Sequence, residues 1–490
     1  MILNTLIHPG IANSLIFAIR KKSRDWHPRR LRFAVTGFTW LTLVALTVIA
    51  AFYFKHPLFY FWRDIETPLL LLAGAAGACF ALRASMRATG RRDRLEAGAR
   101  LAVCVALLSL SLGQEAWFRW QQFWVLQGGP PTERVGRHFV VGFREFAEVK
   151  SLAERGLIGG IYVTRRNLRG ESAQSLRRRI DELQEARARA QLPPLFVMAD
   201  QEGGEVAHLS PLIGAMPALA ELLADDPRNL DARARAQGEL EGRALASLGI
   251  NLNLSPVVDL KPGGKEDWPD RHTKISRRAI AADPQVVAQV AAAYGAGLVA
   301  AGITPTVKHF PGLGRVRADT HLVEARLAGD LDSQAADWLP FREVTARTGA
   351  AMMLAHVRLT DVDPQAPASL SRAVVQGVLR ESWNYQGILM TDDLNMGAVY
   401  AKGIGCSAAA ALNAGVDLVL VTYDPDQYYR ALYAAARALR KGGIDARREA
   451  ESAKRLERFW NEPREYIKET ISYRTSPPRP PGNAISLPVT

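Results

Sequence analysis

VKHFPGLGRVRADTH, Val307 to His321, and MTDDLNM, Met390 to Met396, are the two stretches on which the reading of this chain turns. The first continues an apolar run that begins at Gly302 and has the length of a short buried strand. Lys308 and His309 stand where that strand ends. A loop with Phe310, Pro311, Gly312 and Gly314 follows and closes on Asp319-Thr320-His321. Its glycines let it bend and bring a histidine beside an aspartate. The second stretch is another apolar strand, Gly387 to Met390, ending in Thr391, Asp392 and Asp393. A lone Asp after a strand is more often a helix cap. Polar groups gathered at the ends of several strands are instead what a barrel active site requires.

Working outward, the same alternation recurs through the C-terminal two-thirds of the chain. Strands are expected at His138–Phe143, Gly159–Thr164, Leu195–Ala199, Ile250–Leu254, Ile303–Val307, Ala350–Ala355, Ile388–Met390 and Val416–Val421. Helical stretches such as Ser175–Arg189, Leu230–Leu248, Pro284–Ala301 and Ala373–Trp383 separate them. The fold class is therefore α/β, a closed (β/α)8 TIM-type barrel over 134–462. An open doubly wound sheet is the alternative, but no GxGxxG or phosphate loop follows the first strand.

The N-terminal quarter has a different composition. Hydrophobic residues make up 48% and charged ones 23% of the 490 residues, yet most long apolar runs precede residue 126. Residues 1–32 read as a cytoplasmic N-terminus ending in basic residues, without a cleavable signal. A membrane region of about three helices is expected at 33–120, with spans near 33–54, 68–84 and 101–118. Gln114 and Glu115 cut the third apolar run short. The net charge of +13 draws on two basic clusters, Arg20 to Arg32 and Arg83 to Arg100. Each abuts an apolar run, which favours a membrane-orientation signal over nucleic acid. Three crossings would put the barrel outside the cytoplasm, on the far side of a bacterial inner membrane; two would leave it inside. Residues 121–133, with Gly128-Gly129-Pro130-Pro131, read as a linker, and 476–490 as a disordered Pro-rich tail. Cys79, Cys104 and Cys406 read as small buried hydrophobes rather than a disulfide framework.

Reading off the strand ends gives the candidate chemistry. Asp200-Gln201-Glu202-Gly203-Gly204 follows the third strand and Asp259 and Arg277-Arg278 the fourth. Lys308, His309, Asp319 and His321 follow the fifth, His356 the sixth, and Asp392 and Asp393 the seventh. A carboxylate facing a movable Asp–His pair suits two-step covalent catalysis. Lys308, Arg278 and Asp200 suit hydrogen bonding to a hydroxyl-rich ligand. No cluster has convincing metal-ligand spacing, and neither metal nor cofactor is expected.

Over residues 134–460 the chain resembles glycoside hydrolase family 3, in its bacterial β-N-acetylhexosaminidase branch. The KHFPGHG hallmark stands here as KHFPGLG with Asp319-Thr320-His321. The nucleophile motif stands as Thr391-Asp392-Asp393-Leu394-Asn395-Met396 and the Asp-x-Glu-Gly-Gly turn as Asp200 to Gly204. His356 and Pro367 to Ser371 also match. The resemblance implies Asp392 as nucleophile with Asp393 behind it, and His321 as acid/base partnered by Asp319. It implies a sugar site of Asp200, Arg278, Lys308 and His309. The expected reaction is retaining hydrolysis of terminal β-linked N-acetylglucosamine from peptidoglycan-derived glycans, with the lipid bilayer as the other partner. Phosphorolysis, another sugar, or a degenerate binding module are the rival readings. The departures are Leu313, where the loop's second histidine stands in the family, and His208, at the position of a sugar-binding arginine.

Overall fold

The computed structural model describes residues 28–225, 229–262, 273–329 and 331–461. The tail expected at 476–490, and the N-terminus before Pro28, lie outside them. The chain forms two compact units, Met1–Trp120 and Gln121–Thr490.

In the first unit, helices α1 (Pro28–Phe52), α2 (Arg63–Arg87) and α3 (Arg91–Gln127) follow one another, with a short turn at Pro57–Trp62. Two stretches among the described residues, Pro57–Arg87 and Arg91–Gln127, are long and apolar enough to cross a membrane by length and composition. The described apolar part of α1, Phe38–Phe52, is shorter. The third helix runs past the expected 101–118 at both ends, and within it the polar groups of Gln114 and Glu115 find partners. Gln114 donates to the Ala51 carbonyl (3.3 Å), and Glu115 accepts from Thr67 (3.2 Å) and pairs with Lys55 (3.5 Å) and Arg119 (2.6 Å). The stretch expected as a linker is helical through Gln127 and again at Pro130–Gly136. Of the three cysteines only Cys104 is buried; Cys79 and Cys406 are exposed, against the expectation for both.

The second unit is a closed barrel of eight parallel strands, each bonded to the next in sequence. They are β1 (Phe139–Val141), β2 (Gly160–Tyr162), β3 (Phe196–Ala199), β4 (Leu252–Asn253), β5 (Thr304–Phe310), β6 (Ala351–Leu354), β7 (Leu389–Asp393) and β8 (Leu418–Val421). Strands covered on both faces need nearly continuous apolar sequence, which is why the short apolar runs map onto them. Alternate residues form one core cluster: Phe196 and Met198, Leu252 and Leu254, Ala351 and Met353, Leu418 and Leu420. The last helix, Ala446–Asn461, closes the bottom, with Phe459 and Trp460 each 4.8 Å from the Phe196 ring. Burying side chains of this size contributes roughly 1.5–3 kcal/mol each.

Two strands run further than their apolar stretches. β5 continues through Lys308, His309 and Phe310, and β7 through Thr391, Asp392 and Asp393. The polar residues are thus fixed by strand geometry at the C-terminal rim. Gly203, at φ +81°, makes the turn after β3; a Cβ there would lie 2.2 Å from the Pro217 carbonyl oxygen.

Candidate active site

Two ionic clusters meet at the C-terminal mouth of the barrel. The first is built on β3 and β5. Residues 200 and 202 share one face of the chain, and both carboxylates close on Lys308, which is 2% exposed. Its ammonium pairs with Asp200 and, at 2.6 Å, with Glu202. Arg278 grips both Glu202 oxygens through Nη2 (2.6 Å) and Nε (2.8 Å). The Tyr162 hydroxyl donates to Asp200 Oδ2 at 2.6 Å. Burial alone would raise both acids, but the cations override it. Lys308, by its charge and its hydrogen bond, holds Asp200 well below the usual carboxylate range, and Arg278 with Lys308 holds Glu202 down. Burial likewise works against the charge on Lys308, yet Asp200 and Glu202 keep its affinity for the proton raised. The cluster is therefore fully charged, with Asp200 its most open edge.

His208 lies beside this cluster, its ring 6.2 Å from Tyr162 and nearly perpendicular to it. Burial lowers its proton affinity, so the side chain here is a neutral imidazole where a guanidinium would carry a permanent charge.

The second cluster is built on β5, β6 and β7 around Asp392. Its carboxylate oxygen accepts the Asp393 N–H at 2.8 Å. Burial would raise it, but the neighbouring His309, His356 and His321 and the Asp393 N–H together hold it below the ordinary range. His309 is oriented by Asp259, which accepts from its Nδ1 at 2.7 Å and from the Leu313 N–H at 2.7 Å. Position 313 thus serves the site through its main chain, which explains how a buried leucine fits there. His356 is fully buried; its Nε2 donates to the Asp393 carbonyl (3.0 Å), so its Nδ1 accepts the Ser369 hydroxyl (2.7 Å). Burial lowers its proton affinity, consistent with that neutral tautomer.

His321 rides on the loop after β5 with 40% of its side chain exposed. Asp319 Oδ1 receives its backbone N–H (3.0 Å) and faces its Nδ1 (3.2 Å). The Gly397 N–H, just past the Asp392 motif, donates to the His321 carbonyl (2.8 Å), and a Cβ at 397 would lie 2.4 Å from the Leu322 oxygen. That glycine lets the histidine loop lie directly on the loop after β7.

Asp393 faces the other way. Its oxygens accept from the Thr422 hydroxyl (2.7 Å), the Tyr423 N–H (2.7 Å) and both the backbone and side-chain amides of Asn395 (2.9 and 2.8 Å). Of the two adjacent acids, Asp392 keeps lone pairs for chemistry and Asp393 holds the loop.

All eight residues singled out from sequence therefore lie around one mouth. Sequence reading left Tyr162, Glu202 and Ser369 without a role, and gave Asp259 and His356 no place among the site residues. A polar or aromatic residue at the C-terminal end of each barrel strand was the available signal for Tyr162 and Asp259. Among the described residues no group of three or more His, Cys, Asp or Glu side chains could hold a metal.

Comparison with known proteins agrees with this geometry. The model of the glycosyl hydrolase family 3 N-terminal domain matches residues 132–459. A β-hexosaminidase of Stenotrophomonas maltophilia is 33% identical over 302 residues, covering 60% of this chain and 85% of the relative. One from Xylella fastidiosa is 35% identical over 287 residues, 57% of this chain and 80% of the relative. Among solved structures, a family 3 β-N-acetylglucosaminidase from Paenibacillus superposes with TM-score 0.61 at 30% identity. That match covers 73% of this chain, which spans 64% of that longer one. A β-N-acetylhexosaminidase from Beutenbergia cavernae gives 0.60 at 28% identity, covering 68% of this chain and 99% of its own. The chain belongs to glycosyl hydrolase family 3 and is a glycoside hydrolase.

Proposed function

We propose that this protein is a membrane-anchored retaining β-N-acetylglucosaminidase. Asp392 attacks the anomeric carbon and forms a glycosyl ester while His321 Nε2 protonates the departing oxygen. The same imidazole then takes a proton from water, which attacks the anomeric carbon and releases the sugar with its original configuration. Asp319 holds the imidazole in the required tautomer. Asp200, Lys308, His309, Arg278 and His208 bind the terminal sugar, with charged acceptors and donors matched to its hydroxyls. The observation that carries this reading is the contrast at 392–393: one carboxylate ionised among three histidines, the next consumed by five donors. The names of the relatives support N-acetylglucosamine as the sugar, and a peptidoglycan-derived glycan as its source follows from the family branch.

The anchor is the helical first unit. Phe38, Leu41, Leu72, Phe80 and Leu112 are exposed, a surface suited to lipid. Exposed Phe61, Trp62, Trp117 and Trp120 collect at the end where Gln114 meets Ala51, as interfacial aromatics do. The arginines at 83–100 stand at the opposite end of α2 and α3. Under the positive-inside rule they face the cytoplasm, and α3 then delivers the barrel to the extracytoplasmic side of a bacterial inner membrane.

The test is turnover of an aryl β-N-acetylglucosaminide by the full-length protein in detergent, followed by proton NMR of the first-formed sugar. The β-anomer appearing first, and its loss in His321→Ala, support the assignment. First release of the α-anomer contradicts retention. Dependence on phosphate marks a phosphorylase, and sugar binding without turnover by a folded protein marks a binding module.

A further inference from the structure

Behind the ionic cluster lies a second polar chain that the reaction above does not use. Helices Leu230–Ser247 and Pro284–Ala300 approach unusually closely through glycines: a Cβ on Gly238 would lie 2.1 Å from the Tyr294 carbonyl oxygen, and one on Gly297 would lie 2.2 Å from that of Arg235. Between them sits Glu241, with no exposed surface. Its Oε2 accepts the Tyr294 hydroxyl at 2.7 Å; its Oε1 has no well-aligned hydrogen bond, and the Gln201 side chain is the further neutral donor beside the carboxyl. The Tyr294 oxygen in turn receives the Asn253 amide from β4 at 3.3 Å. Asn253 grips the Gln201 peptide on both sides, donating to its carbonyl (2.7 Å) and accepting its N–H (3.1 Å). The Gln201 side chain then holds the Leu209 N–H (3.1 Å) and Ser210 (3.2 Å), next to His208. Gln201 separates Asp200 from Glu202, the two acids that clamp Lys308.

We propose that Glu241 is a positioning residue that sets the sugar-binding cluster through Tyr294, Asn253 and the Gln201 peptide, so that its ionisation loosens substrate binding. This rests on the proposed glycosidase reading of the mouth. The carboxyl acts in its neutral form. Ionised, it would be a buried anion facing Glu202 with only the neutral Tyr294 hydroxyl and Gln201 side chain as donors, and drawing on Gln201 would disturb the hydrogen bonds that residue makes to Leu209 and Ser210. Burial, with Glu202 adding to it, pushes this carboxyl up to about 7. The charged groups nearest the chain, Glu202, Asp200, Lys308 and Arg278, are mutually paired and do not supply a donor.

The test compares full-length wild type with Glu241→Gln in detergent, reading KM and kcat for an aryl β-N-acetylglucosaminide from pH 5.5 to 8.5. For wild type, KM rises about tenfold across one ionisation near neutrality while kcat changes much less, as expected when the ionised form binds poorly. Glu241→Gln keeps the low-pH KM and loses that rise. Superimposable KM profiles for the two proteins overturn the proposal. A readout independent of turnover covers a failure of the glycosidase reading or of folding. The carboxyl's folded proton affinity is raised, so the stability it contributes is present in acid and lost as pH rises from about 4.5 through about 7. That component of the thermal-unfolding profile disappears in Glu241→Gln and is diminished in Tyr294→Phe. A pH dependence of unfolding identical in all three contradicts the proposal.

Discussion

The two ends of the barrel carry similar ingredients and do different things with them. At the bottom, Asp417 is fully buried and held below its ordinary range; at the top, Asp392 is half-buried and held down as well. Asp417, however, is spent: it accepts from Arg380 (2.6 Å), Arg455 (2.8 Å), Ser452 (2.7 Å) and the Leu389 N–H (2.8 Å). The bottom even has its own buried histidine and acid, His138 facing Glu449 at 3.4 Å, with Arg134 on the same carboxylate. These ties bind the last helix and the one before β7 to the barrel floor. A depressed acid beside cations is therefore no mark of catalysis; an ionised acid with hydrogen-bonding capacity left over is.

That contrast predicts opposite phenotypes for chemically identical substitutions. Asp392→Asn should lower kcat/KM by about 10⁴-fold, in the range of losses for catalytic groups acting as a unit, and leave the melting temperature nearly unchanged. Asp417→Asn should do the reverse. Leaving Arg380 and Arg455 without their anion should cost about 3–5 kcal/mol of stability, with the activity of the folded fraction retained. Steady-state kinetics beside chemical denaturation of each variant measures both. If both substitutions abolish activity without destabilising, the distinction between the two ends fails.

Asp393→Asn sharpens the comparison from within the upper cluster. It removes charge from a carboxylate serving five donors, so about 1–3 kcal/mol of stability should go, together with a smaller loss of kcat than at Asp392. Equal kinetic losses at the two positions would break the assignment. A smaller effect concerns His356. Its proton affinity is depressed in the fold, so its stabilising contribution is present above its unfolded value of 6.5 and is lost as pH falls. His356→Asn should flatten that part of the stability profile between pH 7 and 5, measured by thermal unfolding.

Much of this was legible in the sequence, and the rest has physical reasons for being hidden. The eight strands showed because each is an apolar run with turn chemistry on either side. The mouth showed because its acids and histidines follow those runs. Tyr162 did not declare itself, and Asp259 showed as a strand-end acid without its role as the partner of His309, since the inward orientation of a residue at a strand end depends on barrel register. Glu241 went unremarked in the sequence, because its burial comes from Gly238 and Gly297 drawing two helices together over it. Gln114 and Glu115 break the apolar run, and the partners that satisfy them, Ala51, Lys55 and Thr67, lie far off in the sequence. Leu313 looked like a lesion because the loop's need at that position, an N–H for Asp259, is met by any main chain.

The most direct test of the central claim is to trap the glycosyl ester. Full-length protein is incubated with a slow, fluorinated N-acetylglucosaminyl donor, and peptide mass spectrometry locates the adduct. The account predicts one added sugar on Asp392, absent from Asp392→Asn. An adduct on Asp393, or undiminished turnover in Asp392→Asn, would contradict it.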